Sequence, residues 1–154
     1  MRLNRLYPVA LAGVIAAGLF ATAAAQVSLP DVASMSVEQI IALRIETMRS
    51  NGSTLRGANA LSGEAAIAAG RQALANATLL KLLFPEGANT GESNALANIW
   101  TDWDNFIAIL DKYETDARAM IAAAEAGDNA AYLAALQAVG GDCGTCHTTY
   151  RAPL

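Results

Sequence analysis

Two long stretches of this chain carry apolar residues at a spacing that only a helix places on one face. Ile99, Trp103, Phe106, Leu110, Tyr113, Ala117 and Met120 recur at intervals of 4-3-4-3-4-3, and Tyr132, Leu136, Val139, Cys143, Cys146 and Tyr150 at 4-3-4-3-4. Each run is a single seam with polar residues opposite, which predicts two amphipathic helices that must bury that seam against something. Between them Gly127 is placed to end one helix and Asp128 to cap the next. Gly140-Gly141 weakens the second helix locally.

Upstream the pattern is also helical. Ser36 with Gln39 three residues later has the form of a capping box, and Met35 and Ile40 sit where a hydrophobic staple closes. Val37, Ile41, Ile45, Met48, Leu55 and Ala58 form the expected inner face, interrupted by the turn-like pair Asn51-Gly52. Gly52 lies one turn after Met48, where the absence of a side chain admits a bulky neighbour. A second segment is expected from Gly63, capped by Ser62, to Phe84, with Ile67, Leu74, Leu79, Leu80, Leu82 and Leu83 apolar. Pro85 stops it, and a polar loop follows to Asn94. There is no strand-like alternation. Four helices with mostly short connections predict an all-α, antiparallel four-helix bundle.

The first 25 residues stand apart. Arg2 and Arg5 precede an apolar run from Val9 to Phe20, and Ala23-Ala24-Ala25 follows, the layout of a signal peptide covering residues 1–25. The bundle domain is then 26–154, with 8 basic against 14 acidic side chains, a net −6. That acidity argues against nucleic acid or an anionic membrane as partner and favours a protein with a basic docking surface. No membrane span is expected after processing.

Cys143-Gly144-Thr145-Cys146-His147 is C-x-x-C-H, the attachment signature of a c-type haem. Each thiol adds to one vinyl group, and His147, one turn after Cys143, is placed to offer its imidazole to the iron. The motif uses both cysteines and the only histidine of the chain. A structural zinc site lacks a fourth soft ligand. A thioredoxin-like dithiol is a rival reading, but such a pair normally opens a helix after a strand. An export signal agrees with haem attachment outside the cytoplasm, so a periplasmic location is expected.

With C-x-x-C-H at the end of a four-helix bundle, the chain resembles a class II cytochrome c, the cytochrome c′ family. The ending Cys143-Gly144-Thr145-Cys146-His147-Thr148-Thr149-Tyr150-Arg151 is similar to that family's tail. Asn98-Ile99-Trp100 with Phe106, and Ala126-Gly127-Asp128, resemble its third helix and the turn into its fourth. Thr47-Met48-Arg49-Ser50-Asn51-Gly52 and Leu82-Leu83-Phe84-Pro85-Glu86-Gly87 resemble the low-spin cytochrome c-556 group. The resemblance implies one covalent haem c, His147 as proximal and Met48 as distal axial ligand, and homodimers through the first two helices. A thioether is a suitable soft ligand for haem iron. The residues alone leave open Met48 as mere packing, with a vacant sixth position that binds nitric oxide or carbon monoxide, and Met35 or Met120 as ligand instead.

The expected function is periplasmic electron transfer by a His/Met iron with no open position and hence no enzymatic activity; a secreted helical thiol–disulfide protein is the alternative from another class. Trp100, Trp103, Phe106 and Tyr113 are expected as core around the porphyrin. Arg44 is expected in solvent or on a propionate. Arg151 is expected either to tune His147 or to face solvent. Asp102, Asp104, Asp111 and Asp116 are expected as a solvated helix face.

Overall fold

A computed structural model describes residues 29–153. The signal peptide expected over residues 1–25 lies outside them. Five α-helices carry the described residues: α1 (Val37–Leu55), α2 (Gly63–Leu80), the short α3 (Asn98–Thr101), α4 (Trp103–Glu125) and α5 (Asn129–Tyr150); Val32–Ser34 and Ala58–Ala60 are single 3-10 turns. The four long ones form the bundle. The described residues contain no strand, only an isolated bridge between Ala95 and Arg151. No described helix is long and apolar enough to cross a membrane.

The helix ends follow the sequence closely at three of the expected places. Ser36 Oγ accepts from Gln39 N–H while Gln39 Oε1 accepts from Ser36 N–H, closing the capping box of α1. Gly127 turns left-handed, φ +69°, and Asp128 N–H reaches back to the Ala123 carbonyl at 2.9 Å. Asp128 Oδ1 then caps α5 at Ala131 N–H, 3.0 Å. Other boundaries differ. Asn51-Gly52 makes no turn: α1 runs through it, because Asn51 is buried and paired by its side chain. Ser62 precedes α2 without a side-chain cap bond, and α2 ends at Leu80, four residues before Phe84. The third segment is two helices, broken at Asp102 (φ −129°, ψ 37°).

That break has a consequence for packing. Ile99 before it and Phe106, Leu110, Tyr113, Ala117 and Met120 past it are all buried as the seam requires, but Trp103 is 37% exposed. Leu82, also expected inside, is 45% exposed. The contact between α2 and α4 rests on small residues. Ala66, Ala69, Gly70, Ala73 and Ala77 are buried along α2, and a Cβ on Gly70 would lie 2.7 Å from Ile121 Cγ1. Small residues let two helix backbones approach closely.

α1 packs on α2, and α5 packs on α4, but α1 and α5 scarcely touch each other. The inner face of α1 is rotated from the expected one. Ile40, Ile41, Arg44, Thr47 and Asn51 are buried, whereas Val37, Ile45, Met48 and Leu55 are half-buried. Met48, Gly52 and Leu55 face the space left between α1 and α5.

The connection from α2 to α3 is held from beneath by Arg44. Its guanidinium, 5% exposed, donates to the carbonyls of Leu83 (3.1 Å) and Ala88 (2.6 Å) and to Ser93 Oγ (2.7 Å), and it lies 4.5 Å over the Phe84 ring. This corrects the expectation of a solvated or propionate-bound arginine. A buried charge is tolerated where hydrogen bonds replace its water, and the loop carbonyls supply them. The chain end is tied to the same region by Leu96 N–H to Tyr150 O (3.0 Å) and Ala152 N–H to Asn94 O (2.8 Å).

Candidate functional site

The space between α1 and α5 is a cavity of about 180 Å³. Met48, Asn51, Gly52 and Leu55 line it from α1, and Asp142, Cys143, Cys146 and His147 from α5. Leu80 closes it from α2, and Ile109, Leu110 and Tyr113 from α4. All four residues singled out in the sequence therefore reach one cavity, although Met48 and His147 lie far apart along the chain. α5 brings its three together because it runs unbroken through Gly140-Gly141 to Tyr150, so positions 143, 146 and 147 share a face. Neither Met35 nor Met120 lines the cavity. Met120 is fully buried at the other end of the bundle with Ala58 and Tyr132, and Met35 packs against the cluster around Phe84.

The chemistry of the lining suits a large apolar group held at both thiols. Neither cysteine is in a disulfide. Burial pushes the Cys143 thiol up and the Cys146 thiol up to about 11. Such thiols are protonated at neutral pH, the opposite of the activated thiolate a thiol–disulfide enzyme needs. Burial, helped by the charge of Arg151, lowers His147, which keeps its imidazole neutral and able to donate a lone pair. A Cβ on Gly52 would meet nothing within 4 Å, so the wall of α1 is open where a bulky guest would lie. The residues present fit a haem.

The cavity wall also holds polar groups that the sequence reading missed. Asn51 Oδ1 accepts from Asn76 Nδ2 at 2.7 Å and from the Tyr113 hydroxyl at 2.9 Å, and Asn76 is in turn held by Ser50 and Gln72. Burial raises the Tyr113 hydroxyl far above its usual range, so it stays a donor. Asp142 is 5% exposed. Lys112 Nζ lies 2.9 Å from its Oδ1, while its Oδ2 has no protein partner. A helix-face reading that tracks only apolar residues registers Tyr113 for its ring and passes over the buried Asn51, Asn76 and Asp142. The signal was present as polar residues at inward positions 51, 76 and 142.

The remaining expectations divide. Phe106 is fully buried beside Cys146, and Tyr113 lines the cavity. Trp100 and Trp103 do not: Trp100 donates its indole N–H to the Phe84 carbonyl (3.1 Å), and both rings line a surface groove instead. Asp102 is not simply solvated, since it accepts from the Tyr150 hydroxyl at 2.6 Å, which pins the α3–α4 break to α5 and draws its own carboxyl down. Asp111 and Asp116 are ion-paired with Lys81 and Lys112. Arg151 is half-buried, with its Nε unpaired.

A helical bundle whose last helix presents Cys-x-x-Cys-His to an apolar cavity is the architecture of a c-type cytochrome. Comparison with known proteins gives the family. The Cytochrome C′ family model matches residues 38–151. A cytochrome c′ of Rhodospirillum rubrum is 33% identical over 140 residues, spanning 88% of this chain and 92% of its own. A cytochrome c-556 of Agrobacterium tumefaciens is 38% identical over 96 residues, spanning 62% and 77%. The crystal structure of the cytochrome c′ from Thermochromatium tepidum shares the fold, with a TM-score of 0.72 at 23% identity over 77% of this chain and 99% of its own. The chain belongs to the cytochrome c′ family, whose cofactor is haem c and whose members are electron carriers.

Proposed function

We propose that the protein is a periplasmic one-electron carrier in which a single haem c is bonded to Cys143 and Cys146, with His147 as proximal and Met48 as distal axial ligand. The observation that carries this reading is that Met48, from the opposite side of the bundle, lines the same cavity as the Cys-x-x-Cys-His ending of α5. The bound group supplies a one-electron couple, and a His/Met pair raises its potential relative to other axial pairs. The protein's own residues do the rest. Leu55, Leu80, Ile109 and Leu110 exclude water. His147 is held neutral. Asn51 is fixed by Asn76 and Tyr113, which stiffens the turn of α1 that carries Met48. A six-coordinate iron leaves no place for a substrate, so the reading includes no catalytic residue.

The test is the electronic spectrum of the oxidised, haem-loaded protein. A low-spin spectrum with the weak thioether-to-iron charge-transfer band is expected. Met48→Ala should lose the band, turn high-spin and bind carbon monoxide readily. A high-spin wild type would instead assign the five-coordinate, gas-binding state, and an unchanged spectrum in Met48→Ala would remove Met48 from the iron.

A further inference from the structure

The break at Asp102 leaves the protein with a surface feature that its buried seam does not need. Trp103, 37% exposed, and Leu82, 45% exposed, stand with Phe84, Pro85 and Trp100 around a groove between the end of α2 and the start of α4. Exposed aromatic and aliphatic side chains grouped in this way mark contact surfaces.

Two independent observations say what would sit there. The first is charge. Glu86 is on the groove wall, Asp102 and Asp104 flank Trp103, and the groove's Lys81 is ion-paired with both Asp111 and Glu114. Lys81 is thus already balanced by Asp111 and Glu114, and Glu86, Asp102 and Asp104 add negative charge beside the groove, while Arg44 lies buried against Phe84. The second is a row of rings leading inward. The Trp103 and Phe106 ring centroids are 5.5 Å apart, and those of Phe106 and Tyr150 are 5.3 Å apart. Phe106 has no exposed surface and packs in one cluster with Leu80, Leu110 and Cys146, three residues that line the haem cavity. Electron tunnelling weakens steeply with distance and is less attenuated through packed atoms than across gaps. A contact at Trp103 is therefore joined to the haem site by continuous packing.

We propose that this groove is the docking surface for the electron-transfer partner, and that the partner is a one-electron redox protein presenting an apolar centre ringed by lysine and arginine. This rests on the electron-carrier reading above and adds the place of contact. The step moves one electron: the partner's reduced centre is oxidised by one unit, and the ferric haem becomes ferrous. No bond forms or breaks, and the aromatic rings are a packed medium that is not itself oxidised.

The experiment uses the haem-loaded protein and, as probe, a lysine-rich mitochondrial-type cytochrome c. The second-order rate constant for electron exchange is measured by stopped flow in the downhill direction, at low and high salt. The pair Glu86→Gln/Asp104→Asn should slow exchange about three- to tenfold at low salt, and the difference should vanish at high salt. The pair Glu64→Gln/Glu125→Gln removes the same charge at the other ends of α2 and α4, and should change the rate less than about twofold. Trp103→Ala, and separately Leu82→Ser, should slow exchange at both salt concentrations with the haem spectrum and potential unchanged. Groove carboxylates that matter no more than the distant pair, or an unaltered rate in both Trp103→Ala and Leu82→Ser, would overturn the proposal. Wild-type exchange that persists in that case would leave the carrier reading standing; no exchange in any variant would remove the carrier reading and the docking surface with it.

Discussion

Replacing Arg44 tests how the protein holds the long connection that shapes one wall of the groove. Arg44→Met keeps most of the aliphatic volume and deletes the charged fork. Three hydrogen bonds go, to Leu83 O, Ala88 O and Ser93 Oγ, together with the contact over Phe84. Leu83 and Ala88 have no exposed surface, so water does not readily replace the lost donor. Hydrogen bonds from a charged donor contribute about 1.5–3 kcal/mol each, and the substitution recovers the cost of burying the guanidinium. The net loss is about 3–5 kcal/mol, a third or more of a typical domain's stability. At about 4 °C per kcal/mol for a chain of this size, the melting temperature falls by about 12–20 °C. Burial lowers the guanidinium only to about 10, so it stays charged and the loss is the same across the neutral range. Arg44→Lys retains a point charge that cannot span three acceptors and recovers about half of the loss. Urea and thermal unfolding followed by circular dichroism measure these values, and limited proteolysis should show first cleavage between residues 85 and 94. A loss below about 1 kcal/mol in Arg44→Met would refute the assignment of this arginine as the anchor of the connection.

Three further outcomes follow from packing and charge. Gly70→Ala sets a methyl group 2.7 Å from Ile121 Cγ1 and 3.2 Å from its backbone nitrogen, and should cost about 1–3 kcal/mol in thermal unfolding despite alanine's better helix propensity. Asn51→Leu strands the Asn76 and Tyr113 donors and should cost about 2–4 kcal/mol, while adding Tyr113→Phe to it should cost clearly less than Tyr113→Phe does alone; simple additivity would mean that the two side chains do not share this network. Burial raises the Asp142 carboxyl above its ordinary 3.8, against the opposing pull of Lys112. Its folded value thus lies above the unfolded one, so it costs nothing well below 3.8 and reduces stability as pH rises through the folded value. Asp142→Asn should therefore gain stability over wild type at neutral pH and none in acid, and equal curves at both would show that the buried carboxylate carries no net penalty.

What the sequence disclosed and what it hid separate along a physical line. The seams of α4 and α5, the Ser36–Gln39 cap and the Gly127-Asp128 turn were legible because each depends on local spacing and on residues with one strong preference. The haem motif was legible because Cys143, Cys146 and His147 lie within one turn of one helix. The proposal of Met48 rests on resemblance together with its inward position one turn before Gly52, since nothing local tells an inward methionine from a ligand. Arg44, Asn51 and Asp142 were hidden because an inward polar residue looks like an error until its partners are known, and those partners lie 39, 25 and 30 positions away, at Leu83, Asn76 and Lys112. The α2–α4 contact was hidden for a different reason: its alanines and Gly70 carry little hydrophobic signal, and their value lies in letting backbones meet. Trp103 shows the limit of periodicity itself. Its position fits the seam, but Asp102, tied to Tyr150 at 2.6 Å, breaks the helix just before it and turns the ring outward. Ile99 before the break and Phe106, Leu110, Tyr113, Ala117 and Met120 after it all stay buried, so the register survives on both sides and a local break at Asp102 exposes one ring that spacing alone assigns to the core.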